Sequence, residues 1–320
     1  MSERFFSLVL LDAPRPLDMA ALVLQLRQIT APIGLSVELT RDAQGGEPAM
    51  VAIGGVPVTV IAKDVPVPTG TMDRAVAASI AWKDASAVVA VHGAHVIVGC
   101  VLQPENHEQA LHFAMLTTFV AAAALDVSGG LGAYWASGEM MLSPDGMRSA
   151  VRAMLSKTLP VEDWVNLMWF RGETAGQRQM IGAATIGVRP FLGMEIEFLP
   201  APQQPVELAQ RIFGLVRYLL MHGMVIRDGE TIGNSETDIT RVRFLENGTR
   251  VPGRVIQLAL ETGNDPVQEA PAVSPAPQPS TDAFASGAPG RQHPEAMVAF
   301  PDPSAGIVPR RPVFGRRGRD

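Results

Sequence analysis

Two histidines, His92 and His95, stand three apart in Val91-His-Gly-Ala-His-Val96 and invite a metal hypothesis. On one strand that spacing sends them to opposite faces unless Gly93 makes a bulge, and no cysteine or carboxylate stands near to complete a ligand set. A pair of structural histidines fits the segment better. His107 and His112, five apart on a helix, face away from each other. Glu195 and Glu197 alternate with Met194, Ile196 and Phe198, which puts both carboxylates on one face of a strand. Such a pair can do acid–base work or bind a cation, but the same alternation describes a half-exposed strand with one wet face, and that is what we expect. Arg189 is close enough in sequence to pair with either carboxylate.

Gly129-Gly-Leu-Gly132 has the composition of a phosphate cradle in the wrong place. A cradle needs strand, then glycines, then a helix N-terminus; these glycines follow a helix and precede a strand, so they read as a tight turn. Trp135, followed by Gly138 and Glu139, is a large ring beside a strand and reads as core packing. A ligand-binding or hydrolytic site would gather His95, Trp135, Glu139, Arg189 and Glu195 in a cleft between two halves of the chain. Gly-x-Ser-x-Gly, His-Glu-x-x-His and Cys-x-x-Cys are all missing from the sequence. No reaction, cofactor or metal is spelled out, and whether the protein is an enzyme stays open.

The C-terminal tip has a different character. Arg310, Arg311, Arg316 and Arg317 flank Val313-Phe314, and residues 309–320 carry five arginines against Asp320 alone. The tip is therefore at +4 and everything before it at −10, given −6 for the whole chain. An apolar anchor inside a positive cluster is what a short peptide needs to dock on an acidic protein partner. Nucleic acid or anionic lipid would need the charge only, and a solvated basic end needs neither. The acidic balance of the rest argues against nucleic-acid binding by the folded body.

These residues must be positioned by a core, and 47% hydrophobic content supplies one. The lone cysteine, Cys100, lies in an apolar run and reads as a buried, inert thiol. The first residues read as a strand rather than a signal peptide, because Glu3 cancels Arg4 and the apolar run stops at Asp12. The longest apolar stretch, Phe113–Leu125, is short of the ~20 residues that span a bilayer and reads as a core helix. Patterning predicts strands over 4–11, 34–40, 50–53 and 56–61, the last two joined at Gly54-Gly55. Helices are expected from Asp18, over 71–82 and 105–125, and from Ser143-Pro144. Further strands are expected over 133–136, 164–171, 180–188, 194–199, 224–227, 242–245 and 255–260, with an amphipathic helix over 206–222.

The segments Thr185-Ile-Gly-Val-Arg-Pro-Phe-Leu-Gly-Met-Glu-Ile-Glu-Phe198, Val216-Arg-Tyr-Leu-Leu-Met-His-Gly223 and Val225-Ile-Arg-Asp-Gly-Glu-Thr-Ile-Gly233 resemble the bacterial family carrying the domain of unknown function numbered 4261. His92-Gly-Ala-His95 and Gly132-Ala-Tyr-Trp-Ala-Ser-Gly138 fit the same pattern. The resemblance covers most of the body and implies a cytoplasmic bacterial protein without an assigned activity.

The expected fold is α+β, with antiparallel or mixed sheets and helices packed on one face, two ferredoxin-like halves being one arrangement. Residues 1–263 form the body, with halves at 1–160 and 161–263. Residues 264–320, rich in Pro and Ala, form a disordered tail. The leading expectation is a non-enzymatic interaction or adaptor protein with a tail-borne linear motif, able to form a homodimer; the alternative is the cleft described above.

Overall fold

Asp18 sets where the first helix begins, by accepting a hydrogen bond from the Ala21 backbone N–H. The computed structural model describes residues 5–42, 48–80, 82–172, 179–235 and 238–261. Within it, strand β1 (Phe6–Leu11) precedes that helix, α1 (Met19–Thr30), and β2 (Val37–Arg41) follows. Next comes the expected hairpin of β3 (Ala49–Ile53) and β4 (Val56–Lys63). Gly54 and Gly55 turn it at φ 56° and 83°, the left-handed pair that a two-residue loop requires.

Short helices α2 (Asp73–Ala78) and α3 (Ala85–Val91) lead to β5 (Ala94–Cys100) and the long helix α4 (His107–Ser128). Gly129 at φ 61° stops α4, confirming the glycine run as a helix-to-strand turn. The hairpin β6 (Gly132–Trp135) and β7 (Met140–Leu142) completes a seven-stranded antiparallel sheet, ordered β2-β3-β4-β5-β1-β6-β7. Strands β5 and β6 thus lie inside this sheet on either side of β1, with β5 between β4 and β1.

Ser143 caps α5 (Pro144–Leu155) through the Gly146 N–H. Then α6 (Val161–Trp164) turns the chain into β8 (Asn166–Arg171), β9 (Ile181–Ile186), the single turn α7 (Arg189–Leu192) and β10 (Glu195–Ala201). After α8 (Pro205–His222) come β11 (Thr231–Ser235), β12 (Asp238–Leu245) and β13 (Val255–Glu261). This second sheet is ordered β11-β12-β13-β10-β9-β8 and is antiparallel except for the pair β10 and β13. Residues 224–227, expected as a strand, join no ladder. Trp164 ends a helix rather than starting a strand.

The class is α+β, with one antiparallel and one mixed sheet. Helices α1 and α4 cover one face of the first sheet, while α2 and α3 pack on part of the other, around Leu8, Leu10 and Tyr134. Neither sheet has the four-strand ferredoxin-like order, and seven strands against six, differently arranged, are not two copies of one topology. By length and composition α4 is apolar enough to cross a membrane, but 78% of its most apolar window is buried inside the fold as the central core helix.

The sheets share one apolar core, closed by four rings from distant parts of the chain. Trp135 lies 6.0 Å from Phe5 and 6.1 Å from Trp164, and Phe191 lies 4.7 Å from Phe5 and 5.7 Å from Trp164. Trp164 Nε1 donates to Thr118 Oγ1 on α4 at 3.0 Å. At the same joint a Cβ on Gly138 would sit 2.0 Å from the Trp164 carbonyl oxygen, and one on Gly187 would sit 2.7 Å from Gly138. Only glycine permits that approach. The tail expected over 264–320, including Arg310, Arg311, Val313, Phe314, Arg316 and Arg317, lies outside the described residues.

Candidate functional site

The two carboxylates on β10 are buried, not wet. Glu195 is 6% exposed and Glu197 is fully enclosed. By register they share a face with Ala184 of β9 and Val255 of β13, opposite Ile196 and Phe198. Two loops close over them. Glu195 accepts from the backbone N–H groups of Gly187, Val188 and Arg189 at 3.0, 3.1 and 3.2 Å, and from Thr185 Oγ1 at 2.7 Å. Glu197 accepts from the Thr249 N–H at 2.8 Å and from the Thr249 hydroxyl. Each carboxylate holds a loop to the strand, because a buried acid must find donors for its lone pairs. Burial pushes the Glu195 carboxyl above its usual range, opposed by the four hydrogen bonds.

Arg189 meets Glu195 through its backbone N–H, not through the ion pair that its closeness in sequence allowed. Its guanidinium donates to the Pro252 carbonyl, in the loop that also carries Thr249. The loops before α7 and after β12 are therefore tied to β10 and to each other.

The two histidines also hold backbone. His92 ends α3 rather than sharing a strand with His95: its Nε2 accepts from the Val67 N–H at 2.9 Å, and its Nδ1 lies 2.6 Å from the Val89 carbonyl oxygen. That pairing requires the tautomer with hydrogen on Nδ1. His95, on β5, places Nδ1 2.8 Å from the Val65 carbonyl oxygen. Both pin the segment between β4 and α2. Burial pushes the His95 imidazole down, and His112 likewise. Cys100 is enclosed, and burial pushes its thiol up to about 12, far from a reactive thiolate.

Glu139 sits in the β6–β7 turn at φ 50° and forms a two-pronged ion pair with Arg74 of α2, near the solvent. Trp135 is fully buried, and its Nε1 has no hydrogen-bond partner among the described residues.

The five candidate residues do not meet. His95 pairs in register with Leu10, whose face looks toward α2 and α3. Trp135 pairs with Ser7 and packs with Phe5, Val9 and Leu11 on the opposite face, against α4. Glu195 belongs to the other sheet. A shallow recess between α8 and the second sheet, lined by Phe198, Arg211, Thr240 and Leu258, includes none of the five. Among the described residues, no group of three or more metal-ligating side chains comes together.

What sequence reasoning missed lies on the surface where the start of α4 meets the end of α8. Val101 and Leu102, after β5, and Met221, Met224 and Val225, around the end of α8, are 37–48% exposed. The two segments touch at the His107 ring, 3.2 Å from where a Gly223 Cβ would lie. The signal was available as apolar residues just outside element ends, but nothing in the sequence placed the two stretches together.

Residues 184–259 match the family described as a domain of unknown function (DUF4261). The matched stretch runs from Ala184 in β9 into β13, so it contains both buried carboxylates, both loops they hold, and α8. No curated protein and no solved structure matches the chain.

Proposed function

We propose that this chain, whose residues 184–259 match the DUF4261 family, is a non-enzymatic interaction protein whose body carries a linear motif, Arg310–Arg317, to an acidic protein partner in the cytoplasm. The observation that carries the reading is the contrast between an acidic body and a tip at +4 built around Phe314. A positive tip speeds encounter with an acidic surface, and the apolar anchor supplies residence. The fate of the chemistry-bearing side chains supports it. His92, His95, Glu195 and Glu197 hold backbone, and Glu139 is tied to Arg74, so each is engaged in a contact within the fold.

The test is affinity capture with three proteins: the full chain, the chain ending at Gly263, and the full chain with Arg310, Arg311, Arg316 and Arg317 changed to Glu. Far-UV circular dichroism checks that all three are equally folded. The reading expects partners held by the full chain and lost by both others. Equal recovery by all three ends it.

A further inference from the structure

The exposed apolar ridge at the join has a rim of charge. Segments 101–108 and 221–230 contain Glu105, Glu108, Asp228 and Glu230 against a single arginine, Arg227, with His107 and His222. Glu105, Glu108 and Asp228 are exposed and lie close in sequence to the exposed ridge residues Val101, Leu102, Met221, Met224 and Val225. Two methionines give the ridge a surface that adapts to an incoming ring. An apolar strip bordered by carboxylates is the complement of an apolar residue bordered by arginines.

That complement is present in the same chain. Residues 308–320 read Val-Pro-Arg-Arg-Pro-Val-Phe-Gly-Arg-Arg-Gly-Arg-Asp. The strand β13 ends at Glu261, and residues 262–309, 48 in all, separate it from Arg310. Fully extended, that length spans about 160 Å, while the body has a radius of gyration of roughly 18 Å. The tip can therefore reach any point on the body, and a covalent tether raises its local concentration to the order of millimolar.

We infer that the ridge formed by Val101, Leu102, Met221, Met224 and Val225 is a docking site for the chain's own tip, Phe314 on the methionines and Arg316 and Arg317 on the carboxylate rim. This deepens the proposed function and rests on it for its meaning: a tip seated on its own body is withheld from the partner, which must compete for it. The occupancy itself does not depend on a partner.

Hydrogen exchange on the intact full-length protein tests it. A variant with Phe314→Asp, Arg316→Glu and Arg317→Glu is expected to speed exchange in segments 101–107 and 221–227 by roughly threefold or more. A synthetic peptide of residues 308–320, in excess, should restore protection to that variant. The reciprocal change Met224→Glu, at an exposed site, should speed exchange within 310–317, a readout that a merely structural role for Met224 would not move. Unchanged exchange in either variant overturns the inference. So does protection that fades on dilution of the wild-type protein, since the occupant would then be a second copy. These outcomes are read without any partner, so failed affinity capture with intact docking, or the reverse, separates this inference from the function it serves.

Discussion

Glu195 and Glu197 lie two residues apart on one buried face of β10, yet they hold different loops: one carboxylate collects the N–H groups of Gly187–Arg189 and the other the N–H and hydroxyl of Thr249. The pair is a double fastener. Its members share no donor, and the guanidinium of Arg189 joins the two loops by reaching the Pro252 carbonyl.

Removing the first fastener should be costly. Glu195→Ala strands three backbone N–H groups, leaves the Thr185 hydroxyl proton only its long contact with the Ile196 carbonyl, and is expected to cost about 3–5 kcal/mol. Glu195→Gln keeps one acceptor but turns an amide N–H₂ toward donors, and should cost roughly half as much. Urea denaturation measures both. A cost below about 1 kcal/mol for the alanine variant would show that the loop does not depend on this carboxylate.

Acid dependence should carry the mark of Asp163. Burial, with the neighbouring Glu162 charge adding to it, pushes its carboxyl up to about 6, from 3.8 in the unfolded chain. The folded protein then binds the proton more tightly, so this group contributes stability in acid and loses it as pH rises from about 4 to about 6. Asp163→Asn should remove that slope and stabilise the protein at pH 7 by up to about 3 kcal/mol. Thermal melts of both proteins across pH 4–7 check it. A difference between the two that does not change with pH would contradict it.

Much of the fold was legible because local chemistry decided it. Asp18 and Ser143 cap the helices expected of them, Gly54-Gly55 turns the hairpin, and Gly223 follows the last residue of α8. Helix α3 was not legible as such: Ala85–Val91 is a short run rich in valine, and seven residues cannot separate a buried strand from a helix by periodicity. That ambiguity also put His92 and His95 on one imagined strand. The burial of Glu195 and Glu197 was hidden for a different reason. Alternation along β10 reports which residues share a face, but whether that face is wet depends on loops 187–189 and 246–254 folding over it, a tertiary event that the pattern does not encode.

Helix α5 ends on a residue that could be improved. The Thr158 N–H donates to the Ala153 carbonyl at 2.8 Å and the Lys157 N–H to Met154 at 2.9 Å, a glycine-type helix stop with Lys157 held at φ 61°. Lys157→Gly should relieve about 1 kcal/mol of backbone strain and raise the melting temperature by about 2–4 °C. Lys157→Val, with a branched Cβ, should lower it. Calorimetry distinguishes the two directions.

The ring cluster at the joint has a consequence for how the protein is made. Phe5 is synthesised well before its ring neighbours Trp135 and Phe191, and before Trp164, which packs on both of those. At about 5–20 residues per second, roughly 10–40 s of translation separate Phe5 from Phe191. Throughout that interval the nascent chain carries aromatic surface whose cover has not yet been synthesised. Chaperone demand should therefore be concentrated there, before the last of the four rings emerges.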